Sequence, residues 1–161
     1  MKVLGIDPGY ERLGIAILEK NKGDQKESLV YSDCFKTSSK IPHHQRLSLI
    51  FEELNRLIKE FKPDALSIET LFFNTNQKTV MNVSESRGVI VALCSFNKMD
   101  IKEFSPLQIK SAVTGNGRSD KNGVIKMIPL LIKLDKKIKH DDEYDAIAAG
   151  LTYFANSRNI I

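Results

Sequence analysis

Apolar positions along the chain fall first into strand-length runs and then into longer helical ones. Val3, Leu4 and Ile6 make a short strand-forming run that Pro8-Gly9 breaks at once, and Leu13 to Leu18 and Leu29 to Phe35 follow as two more. The short polar connections, such as Lys20 to Glu27, predict an antiparallel meander. Thr37 to Ile41 reads as a loop, with Pro42 near a helix start. From Leu47 the residues Ile50, Phe51, Leu54, Leu57, Ile58 and Phe61 recur in steps of three and one, an amphipathic helix that Lys62-Pro63-Asp64 ends. Ala65 to Ile68 is then a short buried strand, and strand-helix-strand at this spacing implies a right-handed crossover with parallel pairing.

The segment from Thr75 to Asn97 reads as a helix whose apolar residues occupy more than one face. That predicts burial against the sheet and against a second subunit. Ile101 to Phe104 is the last strand expected, and Pro106 opens a short helix to Val113. A Gly-rich loop from Thr114 to Asp120 leads into a helix over Lys121 to Leu134, capped by Ser119 or Asp120. The final helix starts near Asp141. Neither an internal repeat nor a low-complexity tract interrupts this order, so residues 1–161 are expected to form one α/β domain.

Composition changes this picture little. With 42% hydrophobic and 27% charged residues the chain has the make-up of an ordinary globular protein. No run reaches membrane-spanning length and no basic-then-apolar leader precedes the first strand, so a cytoplasmic location is expected. Cys34 and Cys94 lie in apolar runs and read as buried free thiols. The net charge of +4 is unevenly placed: residues 98–140 carry 10 Lys and Arg against 4 acids, and residues 141–161 carry 4 acids against 1 Arg. A basic segment followed by an acidic one suits a nucleic-acid enzyme in which lysines hold phosphates and carboxylates hold metal. Lys133, Lys136, Lys137 and Lys139 are read more simply, as the solvated end of a helix.

Candidate chemistry lies in acids that close structural elements. Asp7 ends the first strand and Glu69 the strand at Ala65 to Ile68, so parallel neighbours would bring both to one edge. A carboxylate at a buried strand tip must be paired, hydrogen-bonded or bound to a cation, although Asp7 also suits the Asp-Pro-Gly turn itself. The third source is Asp141-Asp142-Glu143-Tyr144-Asp145. Helix capping accounts for Asp141, Asp142 and Glu143. It accounts poorly for Asp145, which lies deeper and precedes small packing residues. Asp142 and Asp145 share a helix face at i,i+3, as Asp141 and Asp145 do at i,i+4. Carboxylates without Cys or His at zinc spacing favour Mg²⁺ or Mn²⁺ over Zn²⁺. Two such ions roughly 3.5–4 Å apart would activate a water and stabilise a departing 3′ oxygen.

Gly5-Ile6-Asp7-Pro8-Gly9 with Gly14, then Glu69-x-x-Phe72, then Asp142-x-x-Asp145-Ala146, closely resemble the RuvC family of bacterial Holliday-junction resolvases. The resemblance runs the whole chain in order and spacing. It implies a ribonuclease-H-like fold, a five-stranded mixed sheet with helices on both faces. It also implies a homodimer that nicks two like-polarity strands of four-way junction DNA in recombination and repair, alongside a branch-migration complex of RuvA and RuvB. By position, Asp7, Glu69, Asp142 and Asp145 match the family's metal-binding acids, with Asp7 bridging two Mg²⁺ ions that Mn²⁺ can replace. Phe72 matches the family's junction-wedging aromatic, and Phe73 beside it is the alternative ring. Lys110 and Lys121 match lysines near the scissile phosphate, and Arg118 is a further phosphate contact.

Three other readings fit part of the pattern. An actin-like phosphotransferase also ends its first strand in an Asp-x-Gly turn, but needs two such domains. A ribonuclease-H-like RNA nuclease or pre-ribosomal RNA processing factor would share the fold and differ in substrate. A non-catalytic junction-binding module would not keep four like charges together without a cation.

Overall fold

The computed structural model describes residues 1–71, 77–134 and 136–157. Strands β1 (Lys2–Asp7), β2 (Arg12–Glu19) and β3 (Ser28–Lys36) form the expected meander, antiparallel at both junctions. Helix α1 (His43–Phe61) crosses over to β4 (Ala65–Glu69), which pairs parallel to β1. Helix α2 (Gln77–Phe96) leads to β5 (Asp100–Phe104), parallel to β4, and α3 (Pro106–Thr114), α4 (Lys121–Leu131) and α5 (Asp141–Ser157) follow. The sheet order is β3-β2-β1-β4-β5. Among the described residues, no helix is long and apolar enough to cross a membrane.

Side chains on a strand alternate between the two faces of its sheet, and here one face is uniformly large while the other is small at its centre, with Val3 and Leu18 toward its edge. Leu4, Ile6, Leu13, Ile15, Ile17, Leu66 and Ile68 point to one face, where they pack with Ile50, Leu54 and Leu57 of α1 and with Ile90, Leu93 and Cys94 of α2. Each large aliphatic buried in this way contributes on the order of 1.5–3 kcal/mol. The opposite face carries Gly5, Gly14, Ala16, Ala65 and Ser67, and against it lies α5. The Ser67 hydroxyl donates to the Ala149 carbonyl, tying β4 to that helix.

Helix boundaries follow local chemistry. Lys62 takes a left-handed conformation (φ 51°) at the end of α1, where Pro63 disfavours further helix. Ser105 and Gln108 form a reciprocal capping box around Pro106 at the start of α3. Asp120, rather than Ser119, caps α4 by accepting from the Gly123 amide at 2.8 Å. That helix is shorter than its apolar pattern predicts, ending at Leu131. Pro129 removes one of its backbone donors, Ile132 turns extended, and Lys133 bridges to Ser28 beside β3. The lysines beyond it therefore do not decorate a helix end. Lys136 bonds instead to the Ser32 carbonyl and to Glu143.

Candidate active site

Asp7 lies two residues beyond Gly5 on β1, and Glu69 two residues beyond Ser67 on β4, so alternation turns both acids toward α5. The ladder pairs Ile6 with Ile68, which puts the two acids side by side where their strands end. Both are partly buried. Glycine lets the helix reach them. A Cβ on Gly5 would stand 2.2 Å from the Ala146 carbonyl oxygen, and one on Gly14 would stand 2.1 Å from that of Asp142. Neither position has room for a side chain, so α5 rests on the backbone of β1 and β2 with its first turn beside Asp7.

Electrostatics record the convergence. Burial, then the charges of Asp145, Glu69 and Asp142, push the Asp7 carboxyl up to about 7, with Lys121 opposing them. Glu69 is raised as well, by burial and then by Asp145, against the pull of Lys110. Asp145 is paired with Lys121 at 3.0 Å, and the same ammonium stands 3.5 Å from Asp141. Burial works against the charge on Lys121, but those hydrogen bonds and charges outweigh it and raise its pKa. On the other flank Asp142 accepts from Arg12, and the Cys34 thiol lies 3.6 Å from the same carboxylate oxygen. Burial raises the Cys34 thiol pKa despite its hydrogen bond with Arg12.

The expected residues fall into three groups. Glu69, Asp142 and Asp145 all lie within electrostatic reach of Asp7, and Glu69 and Asp145 line a cleft of about 290 Å³ together with Lys110, Lys121, Pro106, Ile109, Val124 and Ala148. Arg118 is exposed on the neighbouring loop, whose turn is held by its amide bonding to Asn116 Oδ1. Phe72 and Phe73 lie outside the described residues. Among the described residues, no three Asp, Glu, His or Cys side chains stand close enough together to clasp an ion as they are oriented. Asp142 and Asp145 are instead turned to Arg12 and Lys121.

Two neighbouring residues have roles that the sequence pattern did not single out. Arg12 opens β2 three residues after Gly9, and its parity with Gly14 places it on the α5 face. Glu143 is not a helix cap exposed to solvent, as its position suggests. It is buried, and accepts from Ser32 Oγ and Lys136 Nζ at 2.8 Å each and from the Lys139 amide at 3.4 Å. Burial opposes its ionisation, yet these bonds and the Lys136 charge hold its carboxyl below the usual range.

A mixed sheet in this strand order, with helices on both faces and carboxylates gathered where β1 and β4 end, is the ribonuclease-H-like arrangement of a nuclease. Comparison with known proteins narrows the class. The family model for "Crossover junction endodeoxyribonuclease RuvC" matches residues 3–153. The crossover junction endodeoxyribonuclease RuvC of Thermosipho melanesiensis is 45% identical over 150 residues, covering 93% of this chain and 94% of that protein. Thermus thermophilus RuvC in complex with Holliday junction substrate superposes with a TM-score of 0.91 at 27% identity, over 99% of this chain and 96% of that one. The chain belongs to the RuvC family of crossover junction endodeoxyribonucleases.

Proposed function

We propose that this chain resolves Holliday junctions in recombination and repair, hydrolysing one phosphodiester in each of two opposed strands with Asp7, Glu69, Asp142 and Asp145 as metal ligands. The observation that carries the reading is the placement of four acids. The pairing of Ile6 with Ile68 sets Asp7 beside Glu69, and α5 lies on Gly5 and Gly14 so that Asp142 and Asp145 act on Asp7. Burial and these charges push the Asp7 carboxyl up to about 7. Such a cluster has one more negative charge than Lys121, Lys110 and Arg12 offset, and its all-oxygen donor set fits a hard divalent cation. Two Mg²⁺ ions, which Mn²⁺ could replace, would be held by Asp7, Glu69, Asp142 and Asp145 and would supply Lewis-acid polarisation of the phosphate and a water of lowered pKa.

The chain's own residues position the reaction. Lys110 and Lys121 line the cleft and hold the non-bridging phosphate oxygens, with Arg118 gripping a neighbouring phosphate. A water oxygen bonds to phosphorus as the P–O3′ bond breaks. The 3′ oxygen leaves with a proton, giving a 5′ phosphate and a 3′ hydroxyl that a ligase can rejoin. Phe72, three residues after Glu69, or Phe73 beside it supplies the apolar wedge that opens the junction. Residues 1–161 act as one nuclease domain in the cytoplasm.

Paired nicks on a two-fold junction suit a two-fold dimer. Phe51 on α1 and Met81 on α2 are exposed, and Phe51 lines a groove with Leu47 and Val89, which suits a second copy against these helices. The same dimer would receive junctions from a branch-migration complex of RuvA and RuvB. The test is a synthetic mobile four-way junction incubated with and without Mg²⁺, each strand labelled in turn. Symmetric Mg²⁺-dependent cuts in one strand pair are expected. Preference for structured RNA, or binding without cutting, would overturn the reading.

A further inference from the structure

Both α5 acids that face the site already hold a cation, but the two cations are mounted differently. Lys121 follows a Gly-rich loop. Arg12 grows from the first residue of a strand, paired to Lys36 and backed by Gly9, whose Cβ would stand 2.0 Å from the Arg12 carbonyl oxygen. Its backbone is therefore fixed while its side chain is half exposed. The guanidinium bonds Asp142 Oδ2, an oxygen that also has the Cys34 thiol 3.6 Å away. The hydrogen bond with Cys34, and then the Asp142 charge, raise the Arg12 pKa further.

We infer that Arg12 is a built-in counter-ion that competes with the divalent cation for Asp142 and, once displaced, takes a phosphate of the bound DNA. This rests on the reading that Asp142 holds metal. A guanidinium cannot shed its proton, so it cannot relieve the repulsion of an arriving cation by becoming neutral. It has to leave. With its backbone fixed, it leaves by rotation of its side chain, and the exposed half of that side chain faces the solvent that a DNA backbone would occupy. Phosphate is a good acceptor for a planar fork of N–H donors. Loading of metal and binding of DNA are then linked, each making the other more favourable by the same factor.

Mn²⁺ binding to the DNA-free protein, followed by the paramagnetic resonance signal of the free ion, tests the competition. Arg12→Gln should bind Mn²⁺ at least about five-fold more tightly than the unaltered chain, and Arg12→Lys, which keeps the charge, should fall between them. Unchanged or weaker binding by Arg12→Gln overturns the competition. Asp142→Asn separates this failure from failure of the site reading. If Asp142→Asn leaves Mn²⁺ binding as it was, Asp142 is not a ligand and the premise falls. If it weakens binding while Arg12→Gln does not tighten it, only the competition falls. The release onto phosphate is read with all four acids intact, on a junction whose scissile linkages are replaced by uncleavable phosphate analogues so that it stays uncut. With Mn²⁺ present, Arg12→Gln should lower the log–log salt slope of junction binding by about one phosphate contact. An unaltered slope overturns the release.

Discussion

Glu143 and Asp145 sit two residues apart on one helix, yet their surroundings have opposite consequences. Glu143 is buried among donors, with a hydroxyl, an ammonium and an amide aimed at it, and its carboxyl is stabilised as an anion. Asp145 is paired with Lys121 near Asp7 and Glu69, and its charge raises the pKa of both. The first arrangement is complete as it stands. The second sets four carboxylates against the three cations Lys121, Lys110 and Arg12, and this incompleteness marks it as the place where a further cation belongs. Burial alone would not have distinguished them, because Glu143 is the more buried acid.

Substitution at Asp7 should separate the two regions most strongly. Asp7→Asn is expected to lower junction cleavage by roughly 10³-fold or more, while gel-shift affinity for the junction is retained. The same change should stabilise the metal-free protein. The folded Asp7 carboxyl titrates near 7 against 3.8 as its ordinary value, so the folded state binds the extra proton and stability falls as pH rises between those values. At pH 8 the gain in Asp7→Asn approaches about 4 kcal/mol, since each tenfold difference in proton affinity between folded and unfolded chain is worth about 1.4 kcal/mol, and it shrinks toward pH 4. Urea melts in chelator across that range would read it. Equal stability of the two proteins at pH 8 would mean that the acids do not strain one another.

Gly14→Ala probes the backbone contact on which the convergence depends. Its new Cβ would meet the Asp142 carbonyl oxygen, which cannot rotate away, and a loss on the order of 3 kcal/mol is expected together with slower cleavage. A chemical-denaturation midpoint that does not move would show that α5 can lift without cost. Glu143→Gln should cost about 2 kcal/mol at neutral pH, less than a fully buried pair because Lys136 is half exposed. Its sign of pH dependence is opposite to that of Asp7. The contribution is present above the ordinary carboxyl value of 4.5 and is lost as pH falls through the lower folded value. Mn²⁺ affinity should be the same in Glu143→Gln as in the parent chain. Smallest is Lys121→Gln, expected to slow single-turnover cleavage about ten-fold through loss of one phosphate contact.

Most of the fold was legible because its signals are local. The dense apolar runs of β1 and β2, the three-and-one steps of α1 and the turn chemistry of Pro8-Gly9 and Lys62-Pro63 are each carried within a few residues. The acids at strand ends were legible for the same reason, once a parallel crossover put β1 beside β4. What escaped notice depends on partners far away in sequence. Glu143 looked like a cap because Ser32, its buried donor, lies 111 residues earlier. Arg12 drew no notice because Asp142, its partner, lies 130 residues later. The early end of α4 was missed because Leu130, Leu131 and Leu134 continue an apolar pattern past Pro129.

The pairing of Ile6 with Ile68 has one more implication. The offset between Asp7 and Glu69 is set by rungs of peptide hydrogen bonds, not by the shapes of the residues beneath. Hydrophobic residues under the sheet can therefore drift in identity over many generations without misaligning the two acids, whereas a single inserted or deleted residue in either strand would turn one of them to the wrong side.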